Sequence, residues 1–344
     1  PQHHKLAGLT VKTSNLCSEI TLPTGVDKDG RNRTAVCCLS SLNIEKYEEW
    51  KDDKNFIGDV MRFLDNVLTD FIERAPEEFS DATYSALRER SVGLGVMGLH
   101  SFFQQKMIPL ESVMSKVWNK KIFKHIQKEV DKSSKDLAEE RGACPDAADY
   151  GIKERFSNKT AIAPTASISI ICGGTSPGVE PIAANSFTHK TLSGSFNVRN
   201  RYLEKILEKY NKNDGETWSS ITTNQGSVSH LDFLTQQEKD VFKTAFELDQ
   251  KWIVELGADR TSHISQAQSI NIFVPADIHK KELHQIHFQA WKKGLKSLYY
   301  CRSKSIQRAE NVNDAKLTDV TANVYNSKNQ QNKEQEYDEC LSCQ

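Results

Sequence analysis

NLCSEI, residues 15–20, alternates polar and apolar side chains near the start of the chain. In an extended segment the side chains of Asn15, Cys17 and Glu19 point to the same face, because successive residues alternate sides. A carboxylate within hydrogen-bond reach of a substrate hydroxyl acts as a general base, and an asparagine orients either group. The spacing fits a catalytic trio, although on spacing alone a polar strand edge or a turn is the favoured interpretation.

The bulk composition excludes several classes of protein. The 344 residues carry a net charge of −1 with acidic and basic side chains interspersed, which argues against nucleic acid or a membrane surface as partner. No apolar run reaches the roughly 18 residues that a membrane-spanning helix needs. Eight cysteines without a signal peptide predict a reducing compartment, the cytoplasm, where cysteines are catalytic, metal-bound or inert more often than disulfide-bonded.

Hydrophobic spacing predicts an α/β architecture of alternating short strands and helices. Residues 8–44 read as short strands and turns, with a buried strand in AVCCLSSLN (residues 35–43) and another strand starting at residue 296. The predicted helices cover residues 45–75, 111–142, 199–211, 235–256 and 277–294. The apolar stripe of the first of these consists of Phe56, Val60, Phe63, Leu64, Val67, Leu68 and Phe71. Residues 311–344 are polar and predict a flexible tail.

A glycine-rich segment, SVGLGVMGLH (residues 91–100), places Gly93, Gly95 and Gly98 in a G-x-G-x-x-G spacing. A dinucleotide site needs a strand before the first glycine and an acidic residue about 20 residues later. The flanking sequence looks helical on both sides. Glycines that allow tight backbone packing are therefore the better interpretation.

Two further groups carry possible chemistry. Cys37 and Cys38 are adjacent in the predicted buried strand, where a thiol is usually an inert apolar group. APTASISIICGG (residues 163–174) is rich in hydroxyls and small residues, so its backbone N–H groups can approach an anion closely. The cradle would consist of Pro164, Thr165, Ala166, Ser167 and Ile168, and a Ser/Thr-rich loop without a ligand is the competing interpretation.

The last two features lie towards the carboxy terminus. Tyr299 and Tyr300 are adjacent in SLYYC (residues 297–301), and on a regular strand they would face opposite sides and serve packing. Cys340 and Cys343 form a single C-x-x-C in DECLSCQ (residues 338–344), which cannot complete a four-ligand zinc site by itself. A dithiol on a flexible tether suits thiol–disulfide exchange, so a redox shuttle is favoured over zinc binding.

Taken in this order, five motifs resemble the carboxy-terminal half of the large, catalytic subunit of class I ribonucleotide reductase. They are SNLCSEITLPT, AVCCLSSLN, APTASISIICGGTSPGVEP, SLYYC and the terminal C-x-x-C, and the resemblance runs from about residue 8 to the end. It implies the second half of a ten-stranded α/β barrel over residues 1–310, a finger loop at about 15–20, and a flexible redox tail at 311–344. Each motif alone is weak, but five in register are specific.

The resemblance also implies a role for each residue. Cys17 would be the thiyl radical that abstracts the 3′ hydrogen of a ribonucleoside diphosphate, Glu19 would take the proton of the 3′ hydroxyl, and Asn15 would hold the ribose hydroxyls. Cys37 would be a reductant thiol, and residues 164–168 would bind the diphosphate. Tyr299 and Tyr300 would relay the radical, whereas Cys340 and Cys343 would re-reduce the active site and be reduced by thioredoxin or glutaredoxin.

In this family the partner of Cys37 lies in the first half of the barrel and the effector sites lie upstream in the amino-terminal part, and this sequence contains neither. The resemblance therefore implies a separate or missing amino-terminal half and a dimetal small subunit that supplies the radical. It places no metal and no bound cofactor in this chain, which should be inactive alone. A split subunit and a fragment of a longer polypeptide both fit.

Other classes remain open at this point. A cobalamin-dependent relative shares the finger cysteine and does not need the tyrosine pair. A non-catalytic interaction module that kept the fold is another alternative, and a dithiol redox protein acting on other proteins is the third.

Overall fold

The computed structural model describes residues 1–191 and 194–303, with the backbone alone for residues 188–191 and 194–196. The predicted tail at 311–344, with Cys340 and Cys343, lies outside the described residues. Within them the α-helices, α1 to α13, are Gln2–Leu6, Tyr47–Trp50, Phe56–Arg74, Ser80–Glu89, Leu99–Gln105, Val113–Arg141, Pro145–Ala148, Ala166–Ile171, Arg201–Lys209, Gly215–Thr223, Gln236–Val241, Gln250–Thr261 and Lys280–Lys292. The strands, β1 to β8, are Gly25–Val26, Asn32–Arg33, Leu39–Asn43, Gly93–Met97, Ser186–Thr191, Gly194–Arg199, Ile272–Val274 and Cys301–Ser303.

Five extended segments lie side by side in parallel. β3 pairs with β4, and β4 continues to residues 158–162 through the hydrogen bond from Leu94 N to Lys159 O (2.9 Å). That segment bonds to residues 266–274, which contain β7, and β7 pairs with β8. In the part of the chain described, β3 and β8 each have one neighbouring strand, so both edges are open. This arrangement confirms the predicted α/β half-barrel.

Two glycines of β4 allow the strands to approach closely. A Cβ atom at Gly93 would lie 2.3 Å from Leu39 Cδ2, and one at Gly95 would lie 2.3 Å from the carbonyl oxygen of Ala161. The interpretation of these glycines as packing residues is therefore confirmed. The helical prediction for the flanking residues is confirmed by α4 and α5, whereas the buried strand Gly93–Met97 between them was not predicted.

Helices cover the parallel segments and form the main core. The long helix α6 was predicted at 111–142 and is found at Val113–Arg141, where Gly142 follows its last residue. It packs against α3 and α12. The buried face of α3 consists of Ile57, Met61, Leu64 and Leu68, whereas Phe63 and Val67 of the predicted stripe are exposed.

Two predicted helices are each broken into shorter ones. The helix expected at 45–75 is interrupted by the polar residues 51–55, which separate α2 from α3. The helix expected at 235–256 is interrupted at 242–249, between α11 and α12. No helix in the described ranges is long and apolar enough to cross a membrane.

Candidate active site

The segment at 15–20 is a turn and not the extended strand that the polar alternation suggested. Residues 16–18 bend, with Ser18 at φ 69° and its N–H donating to the carbonyl oxygen of Asn15 (3.1 Å). The side-chain oxygen of Asn15 accepts a hydrogen bond from the N–H of Ile20 (3.1 Å). Cys17 and Glu19 are nevertheless both buried, at 0% and 3% exposure. A tight turn therefore brings these two groups into the protein interior.

Ser269 joins Cys17 to Glu19. Its hydroxyl contacts the carbonyl oxygen of Cys17 and lies 3.0 Å from Glu19 Oε2. The N–H of Ala267 donates to the carbonyl oxygen of Glu19 (2.9 Å), and Gln266 accepts from the N–H of Thr21 (3.1 Å). Gln266, Ala267 and Ser269 thus hold the turn from one side, and this part of the chain carried no signal in the sequence analysis.

The tyrosine pair lies directly against this turn. The Tyr299 phenol is hydrogen-bonded to Cys17, and the rings of Tyr299 and Tyr300 have their centroids 4.3 Å apart at an interplanar angle of 33°. Burial raises the pKa of Tyr299, and the hydrogen bond to Cys17 raises it further. The phenol therefore keeps its proton at neutral pH.

The expected placement of the two tyrosines on opposite faces of a regular strand is wrong. Residues 296–300 have no regular structure, and β8 begins only at Cys301. The two rings consequently stack on each other. Tyr300 is 48% exposed, so Cys17, Tyr299 and Tyr300 form a continuous series from the interior to the surface.

Cys37 and Cys38 differ in their surroundings. Cys38 is buried, its thiol contacts the carbonyl oxygen of Leu64 (3.8 Å), and burial raises its pKa to about 11. The reactive thiolate is therefore strongly disfavoured at Cys38. Cys37 is exposed, so of the two it is the one that another molecule can reach.

The hydroxyl-rich loop leads into the short helix α8. Thr165 precedes the helix with φ 57°, a rare conformation for a β-branched residue. Its hydroxyl accepts a hydrogen bond from the N–H of Gly178 (2.7 Å), which fixes this backbone. Ala166 and Ile168 are exposed, and N–H groups in the first turn of a helix have no partner within the helix. This geometry can present backbone donors to an anion.

The described residues contain no group of three or more His, Cys, Asp or Glu side chains suited to a metal ion. The loop at 164–168 is held by Gly178, through the hydroxyl of Thr165. What the structure brings together is the set of Cys17, Glu19, Tyr299 and Tyr300, with Ser269 between the first two.

Comparison with known proteins identifies the family. The family model described as "Ribonucleotide reductase, barrel domain" matches residues 2–150 and 146–301. The chain therefore belongs to this family.

Individual relatives agree with that assignment. The chain is 48% identical, over 94% of its length, to the ribonucleoside-diphosphate reductase large subunit of Invertebrate iridescent virus 6, of which it covers 34%. It is 44% identical, over 92% of its length, to the large subunit of Invertebrate iridescent virus 3 and covers 50% of it. The chain thus spans about a third to a half of these relatives.

A solved structure shows the same fold. The Actinobacillus ureae class Id ribonucleotide reductase alpha subunit matches with a TM-score of 0.81 and 38% identity. The match covers 90% of this chain and 56% of that one.

Proposed function

We propose that this chain forms the carboxy-terminal part of the catalytic subunit of a ribonucleoside-diphosphate reductase, which converts ribonucleotides into deoxyribonucleotides by thiyl-radical chemistry. The hydrogen bond between Tyr299 and Cys17 is the observation that carries this proposal. A tyrosyl radical at Tyr299 takes the hydrogen atom of the Cys17 thiol along that hydrogen bond. The phenol is restored and the radical is left on sulfur.

The radical enters at Tyr300, because this phenol is both exposed and stacked on Tyr299. A hydrogen atom passes from Tyr299 to the Tyr300 radical, and then one passes from Cys17 to Tyr299. Each step exchanges one O–H or S–H bond for another, so no electrons are gained or lost within the series.

At the substrate, the Cys17 radical removes the 3′ hydrogen, and Glu19 accepts the proton of the 3′ hydroxyl. Asn15 contacts the ribose hydroxyls. The 2′ hydroxyl leaves as water with a proton from one of two thiols, Cys37 and a cysteine outside this chain, and the pair then supplies the hydrogen that replaces it at C2′ and becomes a disulfide. Glu19 returns its proton to the 3′ oxygen, and Cys17 returns its hydrogen atom to C3′, which restores the radical on sulfur. The buried position of Glu19, 3.0 Å from the Ser269 hydroxyl, fits a base with a defined orientation.

The loop at Pro164 to Ile168 binds the substrate diphosphate through backbone N–H groups at the start of α8. The left-handed Thr165 and its hydrogen bond to Gly178 support this assignment, because strained backbone persists only where its surroundings fix it. The tail cysteines Cys340 and Cys343 return the active-site disulfide to thiols, and thioredoxin or glutaredoxin reduces the tail.

Two further protein partners follow from the proposal. A chain or segment with the first half of the barrel covers the open edges at β3 and β8, and it carries the nucleotide effector sites. A dimetal small subunit supplies the radical at Tyr300. Exposed aromatic rings stack along α13 just before the tyrosines, with 5.5 Å between the centroids of Phe288 and Trp291, and we expect the small subunit to cover them.

The second candidate, a cobalamin-dependent reductase, would use the Cys17 turn without the tyrosines. The contact of Tyr299 with both Cys17 and Tyr300 favours the tyrosine-fed enzyme. A dithiol redox module would depend on the tail alone and would leave the buried Cys17 and Glu19 without a role.

Tyrosine-to-phenylalanine variants test the proposal, because phenylalanine keeps the ring and has no O–H to give. The complete large subunit, combined with the small subunit, is assayed for nucleotide reduction. Tyr299→Phe and Tyr300→Phe should each abolish turnover. Tyr210→Phe is the matched control, since Tyr210 hydrogen-bonds to Glu238 (3.0 Å) and lies in a separate apolar cluster. Full activity of Tyr299→Phe would contradict the proposal.

A further inference from the structure

We propose that Asn271 is a positioning residue of the radical path, and that its side-chain amide fixes the backbone of Tyr300 so that the two phenols stay stacked and Tyr299 reaches Cys17. The inference rests on the proposed function and adds a residue outside the reacting groups. Asn271 touches no reacting atom in this arrangement. It acts through the chain segment that carries the tyrosines.

The amide of Asn271 is engaged at both ends. Its oxygen accepts a hydrogen bond from the N–H of Tyr300 (3.1 Å), and its nitrogen donates to the carboxylate of Glu180. A buried amide with a donor on one side and an acceptor on the other has a single favourable orientation. Asn271 is 2% exposed, so water does not replace either partner.

Glu180 is held firmly behind Asn271. Two hydrogen bonds fasten the segment around Glu180 to α5. The carbonyl oxygen of Ser176 accepts from the N–H of Gly98, the residue before α5 (2.7 Å), and the N–H of Ile182 donates to Nδ1 of His100 in α5 (3.0 Å). Burial lowers the pKa of His100 to about 3, so its imidazole stays neutral and keeps an acceptor nitrogen. The carboxylate therefore has a fixed place relative to the barrel.

The same extended segment fixes both ends of the radical path. Ser269 contacts Cys17 and Glu19, whereas Asn271 contacts Tyr300, and residues two apart in an extended chain share one face. The carbonyl oxygen of Tyr300 also accepts from the N–H of Ile272 (2.9 Å). Cysteine and tyrosine are thereby set at one mutual distance by a single strand.

The tyrosine segment is fastened at its other end as well. Ser18 donates from its hydroxyl to the carbonyl oxygen of Leu298 (3.1 Å), and Ser297 donates to the carbonyl oxygen of Ser18 (2.9 Å). Tyr299 lies between these bonds and the Asn271 bond. Residues 296–300 have no regular structure, so these contacts replace a strand ladder in positioning Tyr299.

The test measures the radical itself. In the complete large subunit with its small subunit, 3-aminotyrosine replaces Tyr299 and traps the radical, which electron paramagnetic resonance then counts. Asn271→Ala removes both bonds of the amide. The loss of the one to the N–H of Tyr300 should lower the trapped radical about tenfold, a factor that corresponds to about 1.4 kcal/mol. With the natural Tyr299, the KM for nucleotide should stay unchanged while kcat falls.

Two further variants separate positioning from general damage. Gln268→Ala is the matched control, because Gln268 lies on the same segment with similar burial but bonds to Arg260. The double exchange Asn271→Asp with Glu180→Gln reverses donor and acceptor between the two residues and keeps an acceptor for the N–H of Tyr300. It should restore trapping that Asn271→Asp alone loses.

Three results would overturn the inference: wild-type trapping in Asn271→Ala, an equal loss in Gln268→Ala, or no recovery in the double exchange. Each of these three results would refute the role of Asn271 and leave the proposed function standing. If the unsubstituted subunit reduced no nucleotide and trapped no radical at either tyrosine, the proposed function would fall, and this inference with it.

Discussion

Replacing the buried carboxyl of Glu89 by an amide should change how the stability of the protein depends on pH. Glu89 is 2% exposed, and its Oε2 accepts from the hydroxyl of Ser91 (2.9 Å). Burial raises its pKa from 4.5 to about 8, and the nearby Asp146 raises it as well. His4 lies 3.9 Å away but cannot neutralise it, because burial lowers the pKa of His4 to about 3.

The size of the effect follows from these two pKa values. A raised carboxyl pKa means that the folded state binds the proton more tightly, so stability is fully present below pH 4.5 and declines as the pH rises towards 8. At about 1.4 kcal/mol per unit, the loss is about 1 kcal/mol at pH 5 and about 3 kcal/mol at pH 7. Glu89→Gln removes this loss.

Urea unfolding of the wild type and Glu89→Gln at pH 5 and pH 7 measures the difference. The variant should gain about 2 kcal/mol on the wild type between the two pH values. Glu238→Gln is a control of opposite sign, because hydrogen bonds from Thr235 lower the pKa of Glu238 and its contribution is lost as the pH falls. Parallel pH profiles for wild type and Glu89→Gln would refute the reasoning, since Glu89 would then be ionised in the folded protein.

Three other outcomes are expected. Thr165→Val leaves the N–H of Gly178 without its acceptor, so the free energy of unfolding should fall by about 1–3 kcal/mol and the KM for nucleotide should rise severalfold. An unchanged KM would mean that this loop does not bind the substrate. Gly95→Ala places a Cβ 2.3 Å from the carbonyl oxygen of Ala161, which should lower stability by about 1–3 kcal/mol in thermal unfolding, and an unchanged midpoint would contradict the close approach of the strands. Trp291→Ala removes an aromatic ring that is 72% exposed, so affinity for the small subunit should fall about tenfold or more in a titration, whereas equal affinity would place that partner elsewhere.

The order of the motifs predicted the family and the half-barrel. The local sequence pattern predicted some helices and strands accurately and missed others. The helix α6 was predicted almost to its ends, because its apolar spacing is long and a glycine follows it. The strand β4 was missed, since its glycines weaken a strand signal and become intelligible only beside Leu39 and Ala161. The sequence predicted one continuous helix across residues 51–55 and another across residues 242–249, because the polarity of these residues does not by itself show that a helix ends there.

In the candidate site, too, the sequence predicted the residues better than their geometry. Cys17, Glu19, Tyr299 and Tyr300 were singled out from short motifs, and the structure brings them into contact. Their local geometry was not predictable, because a positive φ at Ser18 and an irregular chain before β8 depend on tertiary contacts. Ser269 and Asn271 were missed, since they lie in the polar stretch SQAQSIN (residues 265–271), which matches no catalytic spacing.

The central claim is that Cys17 carries the radical that attacks the substrate. Its most direct test is nucleotide reduction by the complete large subunit with its small subunit, comparing Cys17→Ser with the unsubstituted protein. Cys172→Ser is the control, because Cys172 is an exposed thiol with no assigned role. The account predicts that Cys17→Ser forms no deoxyribonucleotide while Cys172→Ser reduces nucleotide at the normal rate. Deoxyribonucleotide formation by Cys17→Ser at the normal rate would contradict it.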